Sequence, residues 1–129
     1  MPRVLIVDDE AHLRDLYEQE FEYYGYDVVA AQSGQEAIAA LEQHDVDVVV
    51  LDIAMPGMDG IEALARILAV NNELPVILNT GYASYKDDFM TWAAEAYVTK
   101  SSDVRELVDA VAEALKNRGI EPPEPPKDN

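Results

Sequence analysis

The sequence predicts an α/β fold in which a parallel sheet carries helices on both faces. Short apolar runs with the composition of buried strands alternate with longer segments whose apolar residues recur every three or four positions. Regular alternation of this kind is typical of parallel sheets, because their strands are joined by helical crossovers. With 129 residues, 49% of them hydrophobic, the chain is long enough for one domain with a complete core.

Five strands are predicted, and each is a short apolar run. The clearest covers Val46–Leu51, where three consecutive valines and a leucine indicate a strand buried on both faces. The other strands are predicted at Arg3–Val7, Asp27–Ala31, Pro75–Thr80 and Tyr97–Thr99.

Five helices are predicted between and after these strands. Gly25 is placed to end the first, Ser33 and Glu36 have the spacing of a capping box at the second, and Ser102 or Asp103 can cap the last. Asn71 follows the third helix. The apolar positions that indicate the five helices are, in order, Leu13, Leu16, Tyr17, Phe21 and Tyr24; Ala37, Ile38 and Leu41; Ile61, Leu64, Ile67 and Leu68; Tyr85, Phe89, Trp92 and Ala96; and Val104, Leu107, Val108, Val111 and Leu115.

The C-terminal segment has a different composition. Residues 119–129, GIEPPEPPKDN, contain two proline pairs that cannot continue a helix. We therefore predict one domain over residues 1–118, followed by a polar, proline-rich tail or the stub of a linker over residues 119–129.

Charge and composition exclude several classes of function. The net charge of −17 works against nucleic acid or an anionic membrane as a direct partner. The absence of cysteine excludes disulfides, thiolate nucleophiles and thiolate zinc sites. We find no apolar run approaching the roughly 20 residues of a membrane span and nothing like a signal peptide, so a cytoplasmic protein is expected.

Polar residues stand at the ends of four of the predicted strands: the pair Asp8 and Asp9, then Asp52, Thr80 and Lys100. Because the carboxyl ends of parallel strands meet at one edge of a sheet, these side chains are expected to converge. Carboxylates packed together repel each other unless a cation joins them. An open site of oxygen ligands suits Mg²⁺, which retains several waters.

Such a constellation is suited to phosphoryl transfer. One carboxylate can attack phosphorus to form an aspartyl-phosphate, while Mg²⁺ and an ammonium neutralise charge and a hydroxyl donates a hydrogen bond. Each residue alone has an ordinary alternative: the N-terminal acids could favour a helix N-terminus, Thr80 could cap a turn, and Lys100 could be solvated. Their joint appearance at successive strand ends favours a site.

The sequence resembles the receiver domain of bacterial two-component response regulators, as in a chemotaxis-regulator-like single domain, from residue 2 to about residue 118. The segments that carry the resemblance are VLIVDDE at 4–10, LDIAMPGMDG at 51–60, NTG at 79–81 and AYVTK at 96–100. The resemblance implies a flavodoxin-like fold with strand order 2-1-3-4-5. It also implies a phosphorelay switch that receives its phosphoryl group from a sensor histidine kinase or phosphotransfer protein.

The resemblance also implies roles for individual residues around the phosphoryl group. Asp52 is the implied phosphoacceptor. Asp9 and Asp52 are the implied direct Mg²⁺ ligands, Asp8 acts mainly through a bound water, and the backbone carbonyl of Ala54 is the third protein ligand.

The resemblance implies a second set of residues, which respond to phosphorylation. Thr80 and Lys100 contact the phosphoryl group, and Tyr97 is the aromatic whose rotamer follows phosphorylation. The implied output surface lies on the fourth helix, fifth strand and fifth helix, and binds a downstream protein, an output domain or a second copy of the chain. Only self-phosphorylation and autodephosphorylation are implied as reactions.

The chain departs from the family pattern after the last strand and before it. Ser101 stands where the family usually has proline, often after a cis bond. Either the Lys100–Ser101 bond is cis, at a cost of about 3–4 kcal/mol that the rest of the fold must offset, or it is trans and Lys100 shifts. Trp92 and Ala93 replace a small residue and glycine, and we interpret Trp92 as a core residue, the alternative being a partner-facing aromatic. Tyr82 is placed to exclude a hydrolytic water and slow the loss of phosphate.

Three other functions were weighed. A phosphohydrolase with a nucleophilic aspartate is expected to carry a second aspartate two residues later, where this chain has Ala54. A flavin-binding electron carrier would need a glycine- and hydroxyl-rich loop after the first strand, where this chain has DDEAH. A receiver-shaped protein that no longer switches is disfavoured because all five key side chains are present.

Overall fold

A parallel sheet of five strands forms the centre of the fold, in the order β2-β1-β3-β4-β5. The computed structural model describes residues 1–52, 60–81, 94–100, 103–124 and 126. Every neighbouring pair of strands is parallel, which confirms the predicted topology. The strands are β1 (Arg3–Val7), β2 (Asp27–Ala31), β3 (Val48–Leu51), β4 (Val76–Thr80) and β5 (Ala96–Thr99).

Four helices lie within the described residues: α1 (Ala11–Tyr23), α2 (Gly34–Gln43), α3 (Gly60–Val70) and α4 (Arg105–Asn117). The helix α4 is the fifth of the predicted helices. Of the apolar positions that predict the fourth helix, Tyr85, Phe89 and Trp92 lie outside the described ranges. The prediction is wrong for Ala96, which belongs to β5. Among the residues described, no helix combines the length and the apolar character that crossing a membrane requires.

Helix α1 ends in a Schellman motif, which explains the position of Gly25. The Gly25 backbone has φ of 96°, a left-handed conformation that favours glycine. Its N–H donates to the Glu22 carbonyl at 3.0 Å, and the Tyr26 N–H donates to the Phe21 carbonyl at 3.0 Å. The rings of Phe21 and Tyr26 then pack edge to face with centroids 5.4 Å apart, the apolar contact that accompanies this motif.

The predicted caps are present with one adjustment. Ser33 Oγ accepts a hydrogen bond from the Glu36 N–H at 3.2 Å, but the Glu36 carboxylate accepts from the Gln32 N–H at 3.3 Å rather than from that of Ser33. Before α4, the Asp103 carboxylate accepts from the Arg105 N–H at 3.0 Å. The alternative cap, Ser102, lies outside the described residues.

The core has two layers because successive strand residues point to opposite faces of the sheet. On one face α2 and α3 pack over Leu5, Val7, Val49, Leu51 and Leu78, and on the other α1 and α4 pack over Val4, Ile6, Val48, Val50 and Ile77. Leu16 was predicted on the apolar face of α1 but is 46% exposed. Tyr17 and Phe21 carry the packing of that helix instead, because position 16 lies at the edge of the apolar stripe.

Burial of Tyr26 predicts a loss of stability in alkali. Burial raises the pKa of Tyr26 from 10.0 to about 12. From pH 10 to 12 the unfolded chain releases this proton while the folded chain keeps it, so the free energy of unfolding falls as pH rises. Between pH 9 and 11, the free energy of unfolding measured in urea titrations should fall by about 1 kcal/mol less in Tyr26→Phe than in the wild type. Tyr23→Phe, at an exposed position, should behave as the wild type, and equal losses in all three proteins would contradict the assignment.

Candidate functional site

Strand register brings the predicted site residues to one edge of the sheet. Val7 of β1 is paired with Leu51 of β3, so the residues that follow them, Asp8 and Asp52, lie side by side. The backbone confirms this position, because the Asp52 N–H donates to the Val7 carbonyl at 3.0 Å. On the other side, the Lys100 N–H donates to the carbonyl of Thr80 at 2.7 Å, which closes the same edge.

The ammonium of Lys100 joins two buried carboxylates. Its Nζ lies 2.9 Å from Asp52 Oδ2 and 3.0 Å from Asp8 Oδ2, with Glu10 Oε1 at 3.8 Å. The side chains of Asp8 and Asp52 are only 2% and 5% exposed, and that of Lys100 is 15% exposed. Because an uncompensated buried charge is strongly unfavourable, this contact is what permits two carboxylates to lie together here.

The same contacts fix the charge of the lysine. Burial by itself would lower the pKa of Lys100, but hydrogen bonds to Asp52 and Asp8 and the charges of these carboxylates outweigh it. The pKa of Lys100 is therefore raised, and the side chain is an ammonium at neutral pH.

A third carboxylate completes an oxygen cluster. Asp8, Asp9 and Asp52 each offer one oxygen, and these oxygens lie within 4.8 Å of one another. Asp9 is exposed whereas the other two are buried, so the cluster opens to solvent on one side. Several carboxylate oxygens with room for retained waters fit the coordination that Mg²⁺ prefers.

Asp8 is held in place by three further contacts. Its Oδ1 accepts a hydrogen bond from the Glu10 N–H at 2.9 Å, its carbonyl accepts from Arg14 Nη1 at 2.8 Å, and its N–H donates to the Ala31 carbonyl at 3.1 Å. The sequence analysis missed Glu10 and Arg14 as site residues. Their only signal was position, since Glu10 continues the acidic run and Arg14 lies one helical turn beyond it.

The two predicted switch residues lie on the same face of neighbouring strands. Leu78 is paired with Tyr97 and Thr80 with Thr99, so Thr80 and Tyr97 occupy diagonal positions. Thr80 is fully buried, whereas Tyr97 is half-buried and packs against the core layer under α2 and α3.

Several residues named from the sequence lie outside the described ranges. They are Ala54, Tyr82, Trp92, Ala93 and Ser101. The proposed carbonyl ligand, the proposed water shield, the position of the tryptophan and the geometry of the Lys100–Ser101 bond therefore stay predictions.

Comparison with known proteins identifies a family. Residues 4–112 match the family described as the response regulator receiver domain. TrrA from Thermotoga maritima, whose structure was solved in complex with Mg²⁺-BeF, is 38% identical, with a TM-score of 0.86 over 89% of this chain and 100% of that one. In a structure of the histidine kinase ThkA in complex with TrrA, the matching chain has a TM-score of 0.83 and is 38% identical. The match covers 89% of this chain and 99% of that chain.

A curated relative is considerably longer. The probable transcriptional regulatory protein TcrX from Mycobacterium tuberculosis is 34% identical over 119 residues, which cover 91% of this chain and 51% of that protein. The chain thus spans about half the length of the curated relatives it matches.

Removal of the ammonium should destabilise the fold most when no divalent ion is present. In chelator, Lys100→Met should lower the free energy of unfolding by about 2 kcal/mol or more, because two buried carboxylates lose their counter-charge. Added Mg²⁺ should restore part of that loss by binding the folded state. Urea titrations followed by circular dichroism measure both effects.

The matched control is Arg66→Met, which removes an exposed ion pair to Glu62 of 3.0 Å. Its expected cost is about 0.3–0.5 kcal/mol, with no dependence on Mg²⁺. Equal costs for the two substitutions would show that the buried carboxylates do not depend on Lys100.

Proposed function

Since the chain belongs to the response regulator receiver domain family, we propose that it accepts a phosphoryl group on Asp52 in a Mg²⁺-dependent reaction. The donor is a sensor histidine kinase or a phosphotransfer protein, and the modification switches a partner-binding surface. The observation that carries the proposal is the contact of one ammonium, Lys100, with both Asp52 and Asp8, beside the exposed carboxylate of Asp9.

The geometry favours Asp52 over Asp8 as the nucleophile. Asp8 Oδ1 accepts a hydrogen bond from the Glu10 N–H and its Oδ2 contacts Lys100, and these contacts fix Asp8 in the site. Asp52 directly follows the central strand β3, at the carboxyl edge of the sheet. A carboxylate at that position is placed to contact a ligand, and Asp8 is placed to stabilise the site.

The reaction forms one bond and breaks one. A carboxylate oxygen of Asp52 attacks phosphorus, and the bond from phosphorus to the leaving group breaks, so an aspartyl-phosphate is formed. Lys100 lies 2.9 Å from Asp52 and neutralises charge that the phosphoryl group brings, while the Thr80 hydroxyl donates a hydrogen bond to it.

A magnesium ion bound in the carboxylate cluster would supply positive charge facing the phosphoryl oxygens. Asp9 and Asp52 would hold it directly, Asp8 would act through water, and the carbonyl of Ala54 would complete the protein ligands. The cluster of the three aspartates supports this assignment, as does the Mg²⁺-BeF complex of TrrA.

The comparisons support partners of two kinds. The complex of ThkA with TrrA supports a histidine kinase as the donor. The name of TcrX supports gene regulation as the output of a longer protein, whereas the net charge of −17 argues that this domain itself does not contact nucleic acid. We place the protein in the cytoplasm, with no enzymatic activity beyond its own phosphorylation and dephosphorylation.

The proposed acceptor is tested by intact mass after incubation with a small acyl-phosphate donor. With Mg²⁺ the mass should rise by one phosphoryl group, and with chelator it should not change, because the anionic donor cannot approach the carboxylates. Asp52→Asn should stay unlabelled. Asp45→Asn, an exposed acid before β3, should label as the wild type, and labelling of Asp52→Asn to the same extent would place the nucleophile elsewhere.

For the output we propose a coupled movement of Thr80 and Tyr97. Thr80 moves toward the phosphoryl group and vacates space, the ring of Tyr97 turns inward, and the surface made by β5, α4 and the predicted helix before β5 changes shape. That surface then binds a partner or a second copy of the chain. Differential stabilisation of a few kcal/mol is sufficient to make a minor state dominant.

The switch is tested with beryllofluoride and Mg²⁺ as a phosphoryl mimic. Ring signals of Tyr97 in NMR spectra should shift on loading, and the shift should be reduced in Thr80→Ala. Tyr23, which is exposed on α1, serves as the reference ring. Unchanged Tyr97 signals in the fully loaded protein would contradict the switch, since a fixed half-buried aromatic gives that result, without affecting the assignment of Asp52.

A further inference from the structure

The chain reverses direction after α4 and returns along the domain. Helix α4 ends in a second Schellman motif, in which the Gly119 N–H donates to the Lys116 carbonyl at 3.0 Å and the Ile120 N–H to the Leu115 carbonyl at 2.9 Å. Gly119 has φ of 74°, as this motif requires. Ile120 then packs against the core layer under α1 and α4, so the segment we predicted as a polar tail begins inside the domain.

The proline-rich repeat has one side facing the protein and one facing solvent. In the sequence EPPEPP, Glu121 and Glu124 are exposed, whereas Pro122, Pro123 and Pro126 are half-buried. The sequence of the repeat has a period of three residues, which is the period of the polyproline II helix. The burial of the described residues follows the same period, since both glutamates are exposed and the described prolines are half-buried.

The prolines face a groove between the end of α1 and helix α4. The groove encloses about 490 Å³ and is lined on the domain side by Tyr24, Tyr26, Val108 and Ala112, with Arg105 and Lys116 at its margins. Pro122 and Pro123 form its other wall. Aromatic side chains beside a preformed proline helix are the usual basis of polyproline recognition.

Gly25 leaves space for Pro123 because it has no side chain. A Cβ built on Gly25 would lie 2.9 Å from the Cβ of Pro123, closer than carbon atoms pack. Glycine at position 25 therefore has two roles. It allows the left-handed turn that ends α1, and it leaves space for the close approach of Pro123.

We propose that the groove between Tyr24, Tyr26 and α4 is a polyproline-binding surface whose ligand is the EPPEPP repeat of this same chain. The repeat acts as a strap that ties the end of α1 to α4 and covers the apolar side chains of the groove. The chain beyond α4 is consequently held against the domain instead of extending away from it. The proposal is independent of phosphorylation.

A double-mutant cycle between positions 25 and 123 in the full chain tests the contact. Gly25→Ala adds both backbone strain and a clash with the strap, whereas in a Pro123→Gly background only the strain remains. The factor by which Gly25→Ala changes the unfolding equilibrium constant should be at least about fivefold larger in the wild-type background than in the Pro123→Gly background. As a control, Gly119→Ala carries comparable strain with nothing within 4 Å of its Cβ, and it should be additive with Pro123→Gly. Additivity of Gly25→Ala with Pro123→Gly would overturn the proposed contact.

A peptide titration tests whether the groove recognises the repeat. In full-length protein carrying Pro122→Ser and Pro123→Ser, amide NMR signals of Tyr24, Tyr26, Val108 and Ala112 should shift. The synthetic peptide GIEPPEPPKDN should move them back toward the wild-type positions at about millimolar concentration. The wild type should respond less, because its tethered strap already lines the groove at an effective concentration of about that size. No movement in the variant, equal movement in both proteins, or equal movement with a peptide whose prolines are serines would overturn the proposal.

Discussion

The structure depends on the charge of Lys100 at the carboxyl edge of the sheet. Asp8 and Asp52 are buried side by side because β1 and β3 pair in parallel register, and their charges would otherwise oppose that pairing. The ammonium at 2.9–3.0 Å from both carboxylates removes the conflict. Lys100, at the end of β5, thus balances the charge of an acidic site formed at the ends of β1 and β3.

The pairing of β1 with β3, which brings Asp8 and Asp52 together, comes from apolar residues. The residues that position the site, such as Val7 and Leu51, are core residues whose burial fixes the register, and the polar chemistry begins one residue beyond them. In β1 and β3 the residues that stabilise the sheet therefore precede the candidate site residues. That separation explains how a cluster of like charges can be kept without weakening the sheet on which it lies.

The sequence predicted what depends on local pattern and on the geometry of parallel sheets. The strand ends, the cap at Ser33 and the turn at Gly25 all follow from residue type and spacing, and the structure confirms them. It did not predict the contacts that depend on tertiary approach. The exposure of Leu16 depends on how α1 is rotated against the sheet, and the approach of Pro123 to Gly25 joins segments that no spacing rule connects. The approach of Lys100 to Asp8 and Asp52 was predicted from the strand ends, but its direct ion pair with each carboxylate was not.

Titration with Mg²⁺ by calorimetry tests most directly whether the three carboxylates form one cation site. The wild type should bind the ion at a single site. Asp9→Asn should weaken the affinity by at least about tenfold, because the exposed carboxylate is the part of the cluster open to an ion and its waters. Asp45→Asn, before β3 at the opposite edge of the sheet, should leave the affinity unchanged. Equal affinities of the wild type and Asp9→Asn would contradict the account, since Asp9 would then take no part in binding the ion. No binding to the wild type would show that the cluster is only a structural ion pair with Lys100.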